Sequence, residues 1–195
     1  MMTKGKLVHF RPIEEGDIDD GWLDWINDQD LFEGLITRGP QSRDELVEYY
    51  NKSKWPNASM FAICINETNE YIGNARLAEF NWIHRYCTYG RLLSTKAHKK
   101  GYGSEALFLL FRYGFYVLGI NRIASAAAVF NKASLRSNEK FGMKREGIQR
   151  QRVYWDGDYH DAIALSMLRQ DFDELYPDGS LDAYWDRQNA MRGET

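Results

Sequence analysis

Cysteine, histidine and long apolar runs are scarce in this chain, and each scarcity excludes a class of protein. The two cysteines, Cys64 and Cys87, lie in strand-like runs, which predicts buried free thiols and a reducing cytoplasm rather than a disulfide-stabilised secreted domain. The four histidines and two cysteines show no metal-ligand spacing, so no metal site is predicted. No apolar run is long enough to span a bilayer, and residues 1–10 lack the apolar region of a signal peptide.

An excess of charge of either sign is also missing. The formal net charge is −3 and there is no basic tail, so nothing in the electrostatics favours nucleic acid as a partner. The composition, 44% hydrophobic and 27% charged, is ordinary for a globular protein and supplies enough apolar residues for a full core. With 195 residues and no internal repeat, the chain most simply forms one domain.

The most informative stretch that the chain does contain is His98–Ala106, with the sequence HKKGYGSEA. It follows a strand-like run, Tyr89–Leu93, and opens a long apolar helix, Ser104–Leu118, in which Glu105 and Arg112 mark a narrow exposed stripe. A strand, a short glycine loop and a helix N-terminus together make an anion site. Backbone N–H groups converge there on one point, and the helix dipole adds partial positive charge.

The glycines and lysines of this loop suit a pyrophosphate. Gly101 and Gly103 let the backbone approach a phosphate without a Cβ in the way. Lys96, Lys99 and Lys100 add positive charge. The spacing matches neither the Walker loop nor the dinucleotide-binding fingerprint, so the loop by itself leaves a plain turn open as the alternative.

Periodicity predicts an α+β fold, a mixed and mostly antiparallel sheet with a central parallel pair and helices on both faces. The predicted strands are Lys6–Arg11, Met60–Ile65, Tyr71–Glu79, Tyr86–Leu93, Arg122–Val129, Met143–Trp155 and Tyr159–Leu168. The predicted helices begin at Asp17, Ser42, Ser104 and Asn131. The strand–helix–strand unit around the glycine loop makes Tyr89–Leu93 parallel to Arg122–Val129, and ligands bind where such strands splay. Residues 171–195 are polar and predict a peripheral helix or a partly ordered tail.

Four sets of residues stand in order along these elements. They are Arg11-Pro12-Ile13 with Asp17 and Trp25-Ile26-Asn27-Asp28; His98-Lys99-Lys100-Gly101-Tyr102-Gly103; Asn131-Lys132-Ala133-Ser134 with Glu139-Lys140-Phe141-Gly142-Met143; and Glu146-Gly147 with Arg150 and Gly157-Asp158-Tyr159-His160-Asp161. Over about residues 7–172 the chain therefore resembles the GNAT superfamily of acyl-CoA N-acyltransferases, in its RimJ/RimL-type branch of ribosomal-protein-alanine acetyltransferases. His98 departs from the Gln or Arg that the family has at that position.

The resemblance implies acetyl-CoA as the cofactor, one N-acetyltransferase domain over residues 1–172, and a peripheral segment over 173–195. The pyrophosphate would rest on the glycine loop, and the pantetheine arm would pair with the end of the preceding strand. The implied cofactor-binding residues are Leu92, Leu93, Ser94, His98, Lys99, Lys100, Gly101, Tyr102, Gly103, Ser104, Asn131, Ser134 and Asn138. Asn131 and Ser104 are also good helix N-caps, so a purely capping role stays open for both.

Departure of the CoA thiolate is helped by a hydrogen-bond donor. The family has a tyrosine four residues beyond the Ser134 position, and this chain has Asn138 there, whose amide donates a hydrogen bond but is no acid at neutral pH. Ser134 lies on the same helix face and is the preferred candidate, with Asn138, a water or a nearby tyrosine as alternatives. The negative charge that develops on the carbonyl oxygen also needs a donor, and a backbone N–H near Leu93 would serve.

An amine that is charged at pH 7 must lose a proton before or during attack. Glu79 is the preferred base, because it ends a predicted strand beside the expected splay. A solvated glutamate at a strand end is the alternative interpretation of Glu79. His84 has a suitable pKa range but lies in a predicted turn, where a surface histidine is the competing interpretation.

The acceptor site is predicted in the first two helices, the turn at 79–85 and the final hairpin. The candidate substrate-binding residues are Trp25, Asn27, Glu79, His84 and Tyr154. The favoured function is acetyl transfer to the primary amine of a small polar metabolite, of the amino-sugar or polyamine type. A protein N-terminus as acceptor and a non-catalytic acyl-CoA-binding protein are the alternatives. We expect no nucleic-acid or membrane partner, and a homodimer stays open.

Overall fold

Seven strands form one mixed sheet in the computed structural model, which describes residues 3–32 and 41–193. The strands are β1 (Val8–Pro12), β2 (Ala58–Ile65), β3 (Tyr71–Asn81), β4 (Tyr86–Leu93), β5 (Arg122–Ala128), β6 (Lys144–Trp155) and β7 (Asp158–Leu168). Their order is β1-β2-β3-β4-β5-β7-β6, and every neighbouring pair is antiparallel except β4–β5. The predicted α+β sheet with a central parallel pair is confirmed. A helix crosses over between β4 and β5 and returns the chain in the same direction.

Helices cover both faces of this sheet. They are α1 (Trp22–Ile26), α2 (Gln29–Phe32), α3 (Arg43–Lys52), α4 (Tyr102–Tyr116), α5 (Lys132–Phe141), α6 (Arg169–Leu175) and α7 (Leu181–Arg192). On one face α4 supplies more of the main core than any other element. On the other, a smaller cluster around Trp22 and Leu46, from α1 and α3, packs against Met60 and Leu92 of the sheet.

The single helix predicted to begin at Asp17 is wrong. Residues Glu15–Ile18 form a 3-10 turn, and α1 begins only after Gly21. Gly21 has a φ of +134°, which a right-handed helix cannot accommodate, so the chain changes direction there. The Asp17 side chain is buried and accepts two hydrogen bonds from the Arg11 guanidinium, at 2.5 and 2.8 Å.

The C-terminal segment is bound to the core through aromatic side chains. Phe108 of α4 stacks on Phe172 at a centroid distance of 5.6 Å and on Tyr184 at 4.7 Å. Tyr176 and Tyr184 are fully buried, although their neighbours in sequence are mostly polar. Residues 173–193 comprise the end of α6, a 3-10 turn and the helix α7. Most of the polar residues of this segment lie on its outer surface, and its buried tyrosines attach it to the core.

Glu105, predicted to be exposed on α4, is instead completely buried. Its carboxylate accepts the backbone N–H groups of Lys6, Leu7 and Val8 at 2.7, 2.7 and 2.8 Å, and the indole N–H of Trp185 at 3.0 Å. A buried carboxylate is tolerated when its oxygens are fully hydrogen-bonded. Glu105 thus connects the start of β1, the first turn of α4 and α7.

The two cysteines are free and buried, as the sequence predicts. Burial raises the pKa of the Cys87 thiol to about 12. None of the helices in the described ranges combines the length and the apolar character that crossing a membrane requires.

Candidate active site

The central parallel pair separates after three residue pairs. β4 and β5 pair at Tyr86–Arg122, Cys87–Ile123 and Thr88–Ala124. Beyond Thr88, β4 continues along β3 to Leu93, and beyond Ala124, β5 continues along β7 to Ala128. The hydrogen-bonding groups on the facing edges of the two strands are therefore released from each other. This is the splay that the strand–helix–strand unit predicts.

A cavity of about 480 Å³ lies at this splay. Its walls come from strands β2 to β7, from α1 and α3, and from the first turn of α5. Because α1 and α3 lie on one face of the sheet and α4 and α5 on the other, the cavity joins the two faces through the gap. Two molecules that enter from opposite faces can meet there.

The glycine loop begins α4 beside this cavity. Gly101 has a left-handed φ of +85° and is the N-cap of α4, so the first N–H groups of the helix have no intrahelical acceptors. A Cβ built on Gly103 would lie 2.6 Å from Cδ1 of Leu93, so the loop lies closely against the end of β4. Lys99 and Lys100 are exposed around it. The loop therefore offers free N–H donors, a helix N-terminus and cationic side chains, which fit a pyrophosphate.

The other residues predicted for the cofactor surround the same strand end. Leu92 lines the cavity, and the ring Nε2 of His98 lies 3.2 Å from the carbonyl oxygen of Leu93. The Ser94 N–H is used within the sheet, where it donates to the Ile72 carbonyl. Tyr102, Gly103 and Ser104 form the first turn of α4.

Arg91 of β4 adds positive charge next to the loop. Its guanidinium donates to the Gly103 carbonyl and to the Ser137 hydroxyl, the latter at 3.2 Å. No ion pair joins it to a carboxylate within residues 3–32 and 41–193. Burial lowers the pKa of the Arg91 guanidinium from its ordinary value. Arg91 is thus a partly buried cation that lines the cavity and contacts the backbone of the glycine loop.

The N-terminus of α5 brings Asn131 and Ser134 to the cavity. The Asn131 side chain accepts a hydrogen bond from the Ser134 N–H at 3.0 Å, so it caps the helix, and both residues line the cavity. Asn138, one turn further, is 1% exposed. Its oxygen accepts from the Tyr89 hydroxyl, and its Nδ2 is buried without a partner in the described structure. Burial raises the pKa of the Tyr89 hydroxyl, and Tyr89 is also one of the residues that line the cavity.

Of the predicted acceptor residues, Tyr154 alone lines this cavity in the described part of the chain. The Tyr154 ring is 57% exposed and packs on Tyr159 at 5.1 Å. Trp25 packs instead on Tyr71, at 4.8 Å. The Asn27 side chain bonds the carbonyls of Leu23 and Gln41 and the Gln41 N–H, which holds the chain at the end of α1.

Glu79 and His84 do not reach the cavity either. Glu79 is exposed with a φ of +54°, at the irregularity where the β3–β4 register shifts between Ala78 and Asn81. It borders a neighbouring depression, which shares Tyr49 and Arg76 with the cavity. His84 is exposed in the turn between β3 and β4. Glu79 is therefore outside the cavity walls and exposed at the register shift, and the expectation that it faces the splay is wrong in geometry.

Several residues that do line the cavity are not predicted from the sequence. Trp22 and Ile26 lie one turn of α1 away from each other, on a different side from Trp25. Asn74 and Arg76 stand two apart in β3, a strand that is otherwise mostly apolar. Polar residues at alternating positions of an apolar strand share one face, and this signal could have identified the pair.

The acetyltransferase (GNAT) domain family matches residues 8–144, a range that contains the splay, the glycine loop and the α5 cap. The chain belongs to the GNAT family. It is accordingly an N-acetyltransferase, and acetyl-CoA is its acetyl donor. The more specific resemblance to the RimJ/RimL-type branch stays a prediction.

Two curated relatives and one solved structure illustrate the similarity. The probable N-acetyltransferase YjcK of Bacillus subtilis is 28% identical over 178 residues, which cover 87% of this chain and 98% of that protein. The spermidine N(1)-acetyltransferase of Vibrio cholerae is 26% identical over 132 residues, 68% of this chain and 76% of that protein. A crystal structure of spermidine N-acetyltransferase from Vibrio cholerae, in complex with CoA and spermine, superimposes with a TM-score of 0.79 at 23% identity. That match covers 85% of this chain and 97% of the other.

Proposed function

We propose that this N-acetyltransferase acetylates the primary amine of a small polar metabolite. The cavity at the β4–β5 splay carries this proposal, because it reaches from Arg91, which contacts the glycine loop, to an aromatic-lined space under α1 and α3. A volume of about 480 Å³ suits a small molecule. The spermidine acetyltransferase among the relatives acts on a small amine, which supports this class. Amino sugars and polyamines both belong to it.

The residues around the splay fit acetyl-CoA. The N–H groups of the loop from Lys99 to Ser104 would hold the pyrophosphate, and Asn131 would bond the pantetheine arm as well as cap α5. The edge of β4 at Leu92 and Leu93, which β5 does not use, would pair with that arm. The bound molecule supplies an acetyl thioester at the splay. Backbone N–H groups on the same free edge of β4 are available to the negative charge that develops on the carbonyl oxygen.

The reaction is a direct transfer in our proposal. The amine nitrogen bonds to the carbonyl carbon, the carbon–sulfur bond breaks, and the leaving thiolate gains a proton while the nitrogen loses one. A thiol with a pKa of about 8.5 is a tolerable leaving group, so a hydrogen bond suffices to assist it. Ser134 is our candidate for that bond, with the Tyr89–Asn138 pair directly behind it on α5 and β4.

The substitution Ser134→Ala is expected to lower kcat about tenfold and to raise the KM for acetyl-CoA by less. One lost hydrogen bond to a developing charge corresponds to roughly that factor. Asn138→Ala is expected to lower kcat less, provided that both variants are assayed below their melting temperatures. Steady-state kinetics at saturating amine measure both effects. The reverse order would move the donor role to Asn138 or Tyr89.

The acceptor's proton leaves to solvent in this proposal, because no Asp, Glu or His side chain of the described ranges lines the cavity. Glu79→Gln is therefore expected to change kcat/KM less than about threefold and to leave the pH–rate profile in place. An amine with a free pKa of roughly 10 is protonated at pH 7 and must lose a proton before it attacks. A side chain that removes this proton would therefore change the pH–rate profile. An alkaline shift of the profile in this variant would return the role of base to Glu79.

The release of CoA from acetyl-CoA, measured against a panel of amines, tests the function. The panel contains amino sugars, polyamines, amino acids and a short peptide with an N-terminal alanine. We expect turnover of a small amine, with the acetylated product identified by mass spectrometry. Turnover of the peptide alone would favour the protein N-terminus as acceptor. Tight acetyl-CoA binding without turnover of any amine would favour a non-catalytic acyl-CoA-binding protein.

A further inference from the structure

The walls of the cavity carry positive charge. Arg76, Arg91 and Arg152 line it, and in the described ranges no carboxylate does. None of the three arginines forms an ion pair with an acidic residue within residues 3–32 and 41–193. Arg76 and Arg91 are half-buried and Arg152 is exposed. Guanidinium groups that converge on a cavity without a carboxylate favour an anionic occupant.

Two of these arginines lie on opposite faces of the sheet. In the β3–β4 register Arg76 stands opposite Gly90, and Ala75 opposite Arg91. Residues that stand opposite each other share a face, and adjacent residues alternate, so Arg76 and Arg91 point to different faces. Arg91 contacts the Gly103 carbonyl, on the side of the cofactor loop. Arg76 lies on the other side, with its guanidinium 5.4 Å from the centroid of the Tyr49 ring in α3.

The surroundings of Arg76 are arranged for a ligand that accepts hydrogen bonds. A Cβ on Gly90 would lie 3.3 Å from Nε of Arg76, so glycine leaves room for the arginine stem across β4. Asn74, two residues away on the same strand face, is 4% exposed and lines the cavity. The Asn74 oxygen accepts from the Tyr71 hydroxyl at 2.6 Å, and its Nδ2 is buried without a partner in the described structure. The Arg76 guanidinium and the Asn74 NH₂ group therefore offer hydrogen-bond donors, and neither group offers an acceptor.

We propose that the acceptor amine carries an anionic group, a phosphate or a carboxylate, which Arg76 and the Asn74 amide bind while Arg152 adds charge from β6. This inference rests on the proposed function, because it specifies the acceptor of the same site. The same positive charge disfavours an ammonium ion and therefore favours the free amine, which supplies the nucleophile without a base in the walls. A polyamine, which carries several positive charges, is disfavoured as the acceptor for the same reason.

Matched pairs of amines, which differ only in the anionic group, test this inference. Glucosamine 6-phosphate is compared with glucosamine, and β-alanine with 3-aminopropanol, so that phosphate and carboxylate are distinguished. Spermidine is the cationic reference. We expect kcat/KM to be at least about tenfold higher for the anionic member of one pair than for its neutral partner, since charge-assisted hydrogen bonds are worth about that factor.

The variant Arg76→Gln links that preference to this residue. It is expected to lower kcat/KM for the anionic amine about 10- to 100-fold, to leave the neutral partner within about twofold, and not to change the KM for acetyl-CoA. Arg76→Lys, which keeps the charge, should retain part of the preference. Arg136→Gln is the matched control, because Arg136 is exposed on α5 and lies outside the cavity walls.

A binding measurement separates this inference from the proposed function. Calorimetry follows glucosamine 6-phosphate and β-alanine added to CoA-saturated protein, for wild type and Arg76→Gln. If these anions bind through Arg76 but no amine is acetylated, the anion site stands and the proposed function fails. Turnover restricted to neutral or cationic amines leaves the function standing and overturns the inference. Equal anion affinity in wild type and Arg76→Gln, or no binding of either anion, also overturns it.

Discussion

Gly103→Asp is expected to abolish the rise in melting temperature that acetyl-CoA gives to the wild-type protein. At a ligand concentration about 100 times Kd, binding stabilises the folded state by about 2.7 kcal/mol, which corresponds to roughly 5–10 °C in a chain of this size. The aspartate would place a Cβ 2.6 Å from Leu93 Cδ1 and a negative charge where the phosphate belongs. The position also lies 3.5 Å from the Arg91 guanidinium, so the new carboxylate would neutralise a nearby cation.

Gly103→Ala is the matched control, because it adds the Cβ without the charge. The atom that this Cβ meets is the end of the Leu93 side chain, which can move, so the alanine variant should keep a reduced shift. Thermal unfolding with and without acetyl-CoA measures both variants, and unfolding without ligand reports any loss of fold. An undiminished shift in Gly103→Asp would show that the glycine loop does not bind the cofactor.

The second large effect concerns stability. Glu105→Ala is expected to lower the free energy of unfolding by about 3–5 kcal/mol, because four N–H donors, one buried and three partly buried, lose their acceptor at once. Glu105→Gln keeps one carbonyl oxygen but turns an NH₂ group towards these donors, so it should lower stability by a smaller amount, about 2–4 kcal/mol. Urea unfolding followed by tryptophan fluorescence measures both variants.

The control for this prediction is Glu67→Ala. Glu67 is exposed in the turn after β2, so its removal should change the free energy of unfolding by less than about 0.5 kcal/mol. Because Glu105 lies in the first turn of α4, directly after Gly101 and Gly103, its loss should also weaken acetyl-CoA binding. A Glu105→Ala variant as stable as Glu67→Ala would mean that the start of β1 is held by other contacts.

Local signals in the sequence predicted the elements that depend on a few neighbouring residues. The Ser42–Glu45 capping box is present, with the Glu45 carboxylate accepting from the Ser42 N–H at 2.7 Å. Gly142 ends α5 with a φ of +116°, and Asp156 and Gly157, with φ values of +50° and +83°, form the turn of the final hairpin. Each of these features is decided within about four residues of chain.

The candidate site was predicted only in part, because its residues come from distant segments. The glycine loop and the Asn131–Ser134 cap are local motifs, and the sequence placed both correctly beside the splay. Which residues face the acceptor depends on strand register instead. Glu79 is exposed at the shift between Ala78 and Asn81, while Arg76, three residues earlier, lines the cavity. No periodicity in the sequence reveals where such a shift occurs.

The sequence by itself determined the order of the strands, the parallel pair with its splay and the glycine loop before α4, since backbone preferences and alternating burial act over short stretches. Only the tertiary structure decided that Glu105 is buried against a segment 97 to 99 residues away, that Tyr89 donates to Asn138, and that arginines line the cavity at the splay. Long-range packing determines which side of each helix and strand is buried. A polar side chain enters the interior wherever distant N–H or carbonyl groups can satisfy it.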